Sequence, residues 1–285
     1  MIQNIINYID YLNRVCNYTI SIHSRNKTFS GVLSQLTQYN IHSNPYCIYI
    51  KSSLENRKQC ISQQDNVWEK CKNKIFYGEC YAGCGEFVVP INKNDELLGF
   101  ICVGGYCASL RKCHNTATEY GFGKEKLEEL FNSFLKKDIP DTDMVNTLIQ
   151  PLAAMLVILY SESVNRISSV GKDYIYANIL SIIHTEYMSP ISINHIADLC
   201  HCSPSYVSHI FKKNSGTTIC KYLTDIRIAA AKKLLCNSEF SVSEIAFLTG
   251  FTDSNYFIYV FSKSCGMSPG KFRKNIKNEE VVNGV

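Results

Sequence analysis

"IADLCHCSPSYVSHIFKKNSG", residues 196–216, has a second copy further along the chain, "IAFLTGFTDSNYFIYVFSKSCG", residues 245–266, with one residue added in the turn. Ile196, Ala197 and Leu199 match Ile245, Ala246 and Leu248, and beyond the turn Tyr206, Phe211, Lys213 and Gly216 match Tyr256, Phe261, Lys263 and Gly266. Such self-similarity marks a duplicated structural unit. A polar cap, Ser192 or Ser241, precedes a short helix whose apolar residues Ile193, Ile196, Ala197 and Cys200 fall at helical spacing. A second helix follows the turn, with Val207, Ile210 and Phe211 facing inward in the first copy and Phe257, Val260 and Phe261 in the second. Two short helices joined by a tight turn make a helix-turn-helix, and small Ala197 or Ala246 lets them cross closely. The outer face of the second helix is then free to enter a DNA major groove. Between the copies, Ile219, Tyr222, Leu223, Ile226, Ala230 and Leu234 keep one stripe, which predicts a joining helix about 25 Å long. Such a strut sets two recognition helices to reach groove segments about 34 Å apart, one turn of B-DNA.

Cys200, His201 and Cys202 suggest a metal ligand set until the second copy is laid over them. There the same places hold Thr249, Gly250 and Phe251. Glycine implies a left-handed turn, a conformation that His also tolerates, and Phe251 implies that Cys202 points inward. The three side chains then diverge, and no metal is expected.

"SPSYVSHIFKK", Arg227 with Ala231, Leu234 and Leu235, "IAFLTGF", "YFIYVFSK" and "GMSPGKFRK" together resemble the DNA-binding domain of the AraC/XylS family of bacterial transcription regulators, from about Tyr174 to Lys274. The resemblance implies that Ser205, Ser208 and His209 face the groove with Lys212 and Lys213 near the phosphates. In the second unit it implies Ser254, Asn255, Ile258 and Tyr259 at the groove and Lys263 on phosphate. The family often has Arg where His209 and Tyr259 stand. Arg holds guanine bidentately, a contact worth about 1–3 kcal/mol of discrimination, so this operator is expected to be read with fewer guanine contacts and more by shape. Solvent-facing side chains are the plain alternative for His209 and Tyr259. For Arg227 two roles stand open, a phosphate contact and a structural ion pair. The implied partners are a double-stranded DNA operator and, for an activator, RNA polymerase.

A chain of 285 residues has room for two domains. With 46% apolar and 19% charged residues it reads as globular, only "NEEVVNGV" at the end looking loose. "MIQNIINYID" lacks the basic start of an export signal, and the longest apolar run, Leu152 to Tyr160, falls short of the roughly 20 residues a bilayer needs. A cytoplasmic location without a membrane partner is expected, and the 14 cysteines are expected to be free thiols. Residues 172–277 carry 12 Lys and Arg against 7 Asp and Glu, whereas residues 1–171 carry 17 against 16. The basic excess therefore lies with the repeat, where a polyanion would dock.

Ahead of the repeat, "YTISIH", "YCIYIK", "EFVVPI" and "LLGFICVGGY" read as strands, and "NKND" between the last two reads as a hairpin turn. The expected fold class is α+β: a PAS- or GAF-like sensor over residues 1–124, a helical connector over 125–172 and an all-α double helix-turn-helix over 173–277. "CYAGCGEFVVPI", with Cys47 and Cys60 upstream and "LLGFICVGGY" downstream, resembles the PocR-type sensory domain, which implies a small-molecule effector. An imidazole often follows the Cys80 position in that family, and Tyr81 replaces it here, which argues against a metal. The cysteines keep three readings. They are buried structural thiols, or line a ligand pocket of Cys60, Cys80, Tyr81 and Glu86, or build a metal or redox centre from Cys47, Cys60, Cys71, Cys80 or Cys84. The third makes a thiol- or metal-responsive regulator.

An enzyme is the competing class for this half. No phosphate loop, H-E-x-x-H helix or G-x-S-x-G elbow occurs, and "GGY" is a weak glycine cluster, so no catalytic residue and no cofactor is expected. A reactive Cys113 paired with His114 is the one catalytic alternative, and a surface location for "RKCHN" is the other. In the connector, the first of two helices ends before Pro140 and Asp141 or Thr142 caps the second. Its stripe of Val145, Leu148, Leu152, Met155, Leu156 and Leu159 packs either on the sensor or against a second subunit, making a homodimer.

Overall fold

Asn94 and Asp95 both adopt positive φ, 49° and 63°, the conformation a two-residue hairpin requires. In the computed structural model, which describes residues 1–33, 36, 39, 44–71, 74–167 and 173–282, they close the central hairpin of a sheet. Its strands are β1 (Thr19–His23), β2 (Phe76–Glu79), β3 (Cys84–Lys93) and β4 (Glu96–Cys107), antiparallel in the order β1-β4-β3-β2. Alternation along β3 and β4 gives the sheet two apolar faces. Phe87, Val89, Ile101 and Val103 pack with Ile5, Ile9 and Leu12 of α1 (Ile2–Val15) and with Val145, Ile149, Leu152 and Leu156 of a long later helix. Val88, Phe100 and Cys102 face the other way, toward Val67 and Trp68 of α4 (Leu54–Lys70).

One expected strand is a helix. "YCIYIK" forms α3 (Pro45–Ile50), because Asn44 accepts a hydrogen bond from the Tyr46 amide at 3.0 Å and Pro45 supplies a helical φ in the first turn. Its β-branched and aromatic residues satisfy burial instead, with Tyr46, Ile48 and Ile50 inside the core. Helix α2 (Lys27–Leu33) precedes it, while α5 (Leu110–Tyr120) and α6 (Lys124–Phe134) follow the sheet.

The later helix, α7 (Thr142–Ile167), starts where Asp141 accepts from the amides of Asp143 and Met144 at 2.9 and 3.2 Å. It lies on β3, so the stripe predicted to choose between sensor and second subunit is core. Residues Thr142–Val164 are long and apolar enough to cross a bilayer by length and composition, although the run read from sequence was shorter. In this structure the helix instead buries Val145, Leu152, Leu156 and Leu159 against the sheet and leaves Met144 and Ile158 exposed.

The repeat region is all helical: α8 (Asp173–Glu186), α9 (Ile193–Leu199), α10 (Pro204–Ser215), α11 (Ile219–Asn237), α12 (Val242–Leu248), α13 (Ser254–Cys265) and α14 (Pro269–Val282). The joining helix α11 has 19 residues, about 28 Å of rise, and two apolar sides. Ile219, Leu223, Ile226 and Ala230 belong to the first core, with Ile183, Ile196, Val207 and Phe211. Ile228, Ala231, Leu234 and Leu235 belong to the second, with Ile245, Leu248, Phe257 and Phe261. That second core continues into the sensor, where Tyr49 stacks on Phe240 with ring centres 6.1 Å apart.

His201 sits at φ 52°, the left-handed turn inferred from its counterpart glycine. Cys200 and Cys202 pack against the first core while His201 is exposed. Gly250 has φ 91°, and a Cβ there would stand 2.6 Å from the Tyr187 carbonyl oxygen and 3.0 Å from Arg227 Nε. Gly216 has φ 72° with open space around it. Positive φ costs a non-glycine residue about 1–3 kcal/mol at either place, and close backbone approach adds to it at one. Gly250→Ala is therefore expected to destabilise the protein more than Gly216→Ala in urea unfolding. Equal losses would show that the second turn does not press on Tyr187.

Candidate nucleic-acid interface and effector cavity

Each short helix of the repeat is started by its own side chain. Ser192 accepts from the His195 amide, Ser203 from Tyr206, and Asp253 from Tyr256, while Ser241 and Glu244 close a reciprocal capping box. Helices α10 and α13 end on left-handed glycines, Gly216 and Gly266. With Val207, Ile210 and Phe211 buried, Ser205, Ser208, His209 and Lys212 fall on the opposite face at i, i+3, i+4 and i+7. Ser205, His209, Lys212 and Lys213 are exposed and Ser208 is half-buried. On α13, Phe257 and Phe261 are buried, and Asn255, Ile258, Tyr259 and Lys263 are exposed, with Ser254 half-buried at the helix start. Both faces combine hydroxyl, amide or imidazole groups with a lysine near the C-terminal end of the helix. Tyr256 of α13 and Phe247 of α12, not singled out as surface residues from the sequence, are 57% and 60% exposed. Phe247 occupies the place of Asp198 in the first copy, and that apolar-for-acidic exchange was the available signal.

Arg227 stands apart from these residues. Its Nε donates to the Tyr187 carbonyl and its Nη2 to the Ser189 carbonyl, both at 2.7 Å, and its guanidinium lies 5.7 Å from the Phe251 ring centre. Of the two roles open to it, the geometry is that of a structural clamp, with carbonyl oxygens where a carboxylate was expected.

In the sensor, the face of the sheet turned toward α4 encloses a cavity of about 580 Å3. Cys60 and Gln64 of α4, Cys80 from the loop before β3, and Glu86 and Cys102 of the sheet line it, with His23 of β1. Three of the four residues proposed as a ligand set from sequence, Cys60, Cys80 and Glu86, thus meet. Tyr81 is directed elsewhere, its hydroxyl donating to the Asn56 carbonyl at 3.0 Å. Burial pushes the Glu86 carboxyl up, against a Cys102 hydrogen bond and Lys51, which pull it down. Burial also raises the Cys80 thiol to about 12. Cys47 goes the other way, because a hydrogen bond from Cys84 favours its thiolate against burial, with help from Lys51. Among the described residues no group of three or more Cys, His, Asp or Glu is arranged to hold a metal. His23 was missed in the sequence because strand pairing, rather than spacing, brings it here, and Lys51, at the end of α3, acts on Glu86 by its charge without lining the cavity.

The suggested Cys113–His114 pair does not form. Cys113 is fully buried, its thiol raised by burial, while His114 pairs with Glu128 at 2.7 Å. "RKCHN" is therefore half core and half surface.

Two family models match the chain. The sensory domain found in PocR matches residues 2–160, and a helix-turn-helix domain matches residues 196–275. Among curated proteins, the bifunctional transcriptional activator/DNA repair enzyme AdaA of Bacillus subtilis is 35% identical over 106 residues, 37% of this chain and 50% of AdaA. The Msm operon regulatory protein of Streptococcus mutans is 35% identical over 135 residues, 47% of this chain and 48% of the relative. The chain thus spans about half the length of these two relatives. Among solved structures, the C-terminal domain of the response regulator yesN from Fusobacterium nucleatum is 35% identical and covers 33% of this chain and 93% of its own, with a TM-score of 0.33.

His23 and His184 are both held at about 4 by burial, below the ordinary 6.5, with Lys51 adding to the effect at His23. The unfolded chain takes up these protons first as pH falls, so the stability they contribute is present above 6.5 and is lost toward 4. Urea midpoints are expected to fall across that window, and His184→Gln is expected to flatten the fall. A midpoint independent of pH there would contradict the buried neutral rings.

Proposed function

Because the chain belongs to the family defined by the sensory domain found in PocR and joins it to an AraC-type helix-turn-helix domain, we propose that it is a cytoplasmic, ligand-controlled transcription regulator that binds operator DNA. The observation that carries this reading is the pair of exposed recognition faces on α10 and α13, held by one helix that is core to both units. Ser205, Ser208 and His209 address bases from the first unit, and Ser254, Asn255 and Tyr259 from the second. Lys212, Lys213 and Lys263 neutralise phosphates. Without an Arg at the His209 and Tyr259 places, groove shape contributes more and guanine contacts less.

The bounds drawn from sequence, 1–124 for effector capture, 125–172 as connector and 173–277 for DNA, shift in this reading: α7 is core to the sheet, so the capturing domain extends through it and residues 173–277 read DNA. The effector is a small molecule in the cavity under α4, in contact with Cys60, Cys80 and Glu86. Tyr81 supports the wall through Asn56 instead of touching it. Lys51, whose ammonium feels Glu86 of that cavity, starts a hydrogen-bonded route to the reader. Arg57 donates to the Lys51 carbonyl and to the Ser189 hydroxyl, and the Ser189 carbonyl accepts from Arg227. An effector that favours one placement of Lys51 thereby favours one placement of the second unit. No catalytic role is assigned, and AdaA, named as bifunctional, is matched through its regulator part. Cys47, with its lowered thiol, favours a thiol-responsive regulator as the second reading. The exposed outer side of α7, with Met144 and Ile158, is where a homodimer would meet, and polymerase contact belongs to an activator.

Duplexes selected from a random pool by the full chain provide the operator for three tests. Lys263→Ala is expected to weaken binding about equally on all sequences and to lower the salt slope by about 1. Asn255→Ala is expected to cost about 1–3 kcal/mol on the selected operator and to relax preference at one base pair. A pool that shows no enrichment would overturn the reading. Sedimentation of a monomer with and without operator would remove the homodimer.

A further inference from the structure

A second cavity, of about 300 Å3, lies where the sensor meets the reader. Ser181, His184 and Thr185 of α8 form one wall, and Lys51, Arg57 and Cys60 of the sensor form another. His23, Cys60 and Gln64 separate it from the effector cavity, lining both. Three cationic side chains line it, Arg25, Lys51 and Arg57, and among the described residues no carboxylate does.

The three cations differ in how they are compensated. Arg25 is paired with Asp65 and lies over the Trp68 ring. Lys51 senses Glu86 and two nearby thiols, Cys60 and Cys47, which together outweigh its burial and hold its ammonium above the ordinary value. Arg57 is only 8% exposed, and its hydrogen bonds go to neutral acceptors, the Lys51 carbonyl and the Ser189 hydroxyl. No carboxylate among the described residues is within ion-pair distance of it, and Glu186, a carboxylate whose charge it feels, is engaged by His195 at 2.9 Å. A guanidinium has five N–H donors, and three nitrogens with one bond each leave two donors unused. A buried cation without a counter-ion is costly, and a planar fork with donors to spare suits a carboxylate or phosphate.

We propose that the cavity between the sensor and α8 is a binding site for a small anion, a carboxylate or a phosphate, held by Arg57 and Lys51, with Ser181 of α8 on the facing wall. The volume lies at the lower end of small-molecule sites, which limits the ligand to a few non-hydrogen atoms around its charged group. This site is separate from the cavity that holds Glu86, and it does not depend on what the effector there is. Because its walls belong to both domains, an occupant binds the docked arrangement better than an undocked one and shifts the chain toward it.

The test uses the full chain, melted and titrated calorimetrically with inorganic phosphate and with glutarate, against sodium chloride at matched ionic strength. A saturable rise in melting temperature with either probe is expected, and which probe gives it identifies phosphate or carboxylate as the source. Arg57→Gln is expected to weaken binding by about 10–100-fold, the loss of charge-assisted hydrogen bonds. Since that change could also loosen the domain contact, Ser181→Glu provides an independent arm: its tethered carboxylate is expected to abolish binding of the probe, while the uncharged Ser181→Gln retains it. The proposal is overturned if neither probe produces a saturable rise beyond the chloride control, or if Arg57→Gln and Ser181→Glu bind as the unaltered chain does.

Discussion

Two hydrogen bonds from Arg227 decide where the second helix-turn-helix stands relative to the first. Its donors reach the Tyr187 and Ser189 carbonyls, just past the end of α8, where a helix leaves its last carbonyls without internal partners. A cation there is favoured by the helix dipole as well as by the bonds. Arg227 sits on α11, Tyr187 is buried in the first core, and the guanidinium also covers Phe251 of the second turn. One side chain thus ties α8, the joining helix and the second unit together. Gly250 completes the arrangement, since only a residue without Cβ lets the turn come so close to the Tyr187 carbonyl. A shared helix alone would set the distance between the two recognition helices; the clamp sets their rotation, which groove binding also requires.

Ser189 makes this clamp a meeting point of two domains. Its carbonyl accepts from Arg227 of the reader while its hydroxyl accepts from Arg57 of the sensor. Arg57 in turn holds the carbonyl of Lys51, whose ammonium feels Glu86 in the cavity under α4. Contiguity of this kind transmits a signal only if one of its members has two arrangements that ligand and DNA weight differently. Lys51 is the natural member, because it lines the cavity at the seam, its ammonium feels Glu86 of the other cavity, and its carbonyl is held by Arg57.

How much of this could be read from the chain varies with the range of the interaction. The repeat was legible because its information is local: caps, helical spacing and a glycine that must take positive φ are all written within a few residues. His201 illustrates this, its left-handed turn inferred from Gly250 and found at φ 52°. The central hairpin was legible for the same reason, through Asn94 and Asp95. "YCIYIK" misled because β-branched and aromatic residues report burial on a half-covered surface more than strand geometry, and Asn44 with Pro45 outweighed them. The cavity was half legible: Cys60, Cys80 and Glu86 stood out by type, but His23 joins them only through the pairing of β1 with β4, and the charge of Lys51 reaches Glu86 only through the placement of α3. Arg227 was ambiguous in sequence because its role depends on carbonyls 38 and 40 residues away.

The seam between sensor and reader balances opposing terms. Tyr49 on Phe240, and Lys126 placed 6.0 Å over the same ring, favour docking through apolar area and cation–π attraction. Burying Arg57 with neutral acceptors opposes it, because a desolvated cation regains little from carbonyl and hydroxyl oxygens compared with a carboxylate. A seam built only of the first kind would lock, and one built only of the second would part. A ligand that compensated Arg57 in the docked arrangement would remove the opposing term and leave the apolar one, so it would act on the equilibrium through this contact. Because the uncompensated charge lies at the seam, rather than in the core of either domain, its cost falls on the contact between them and not on the folding of either.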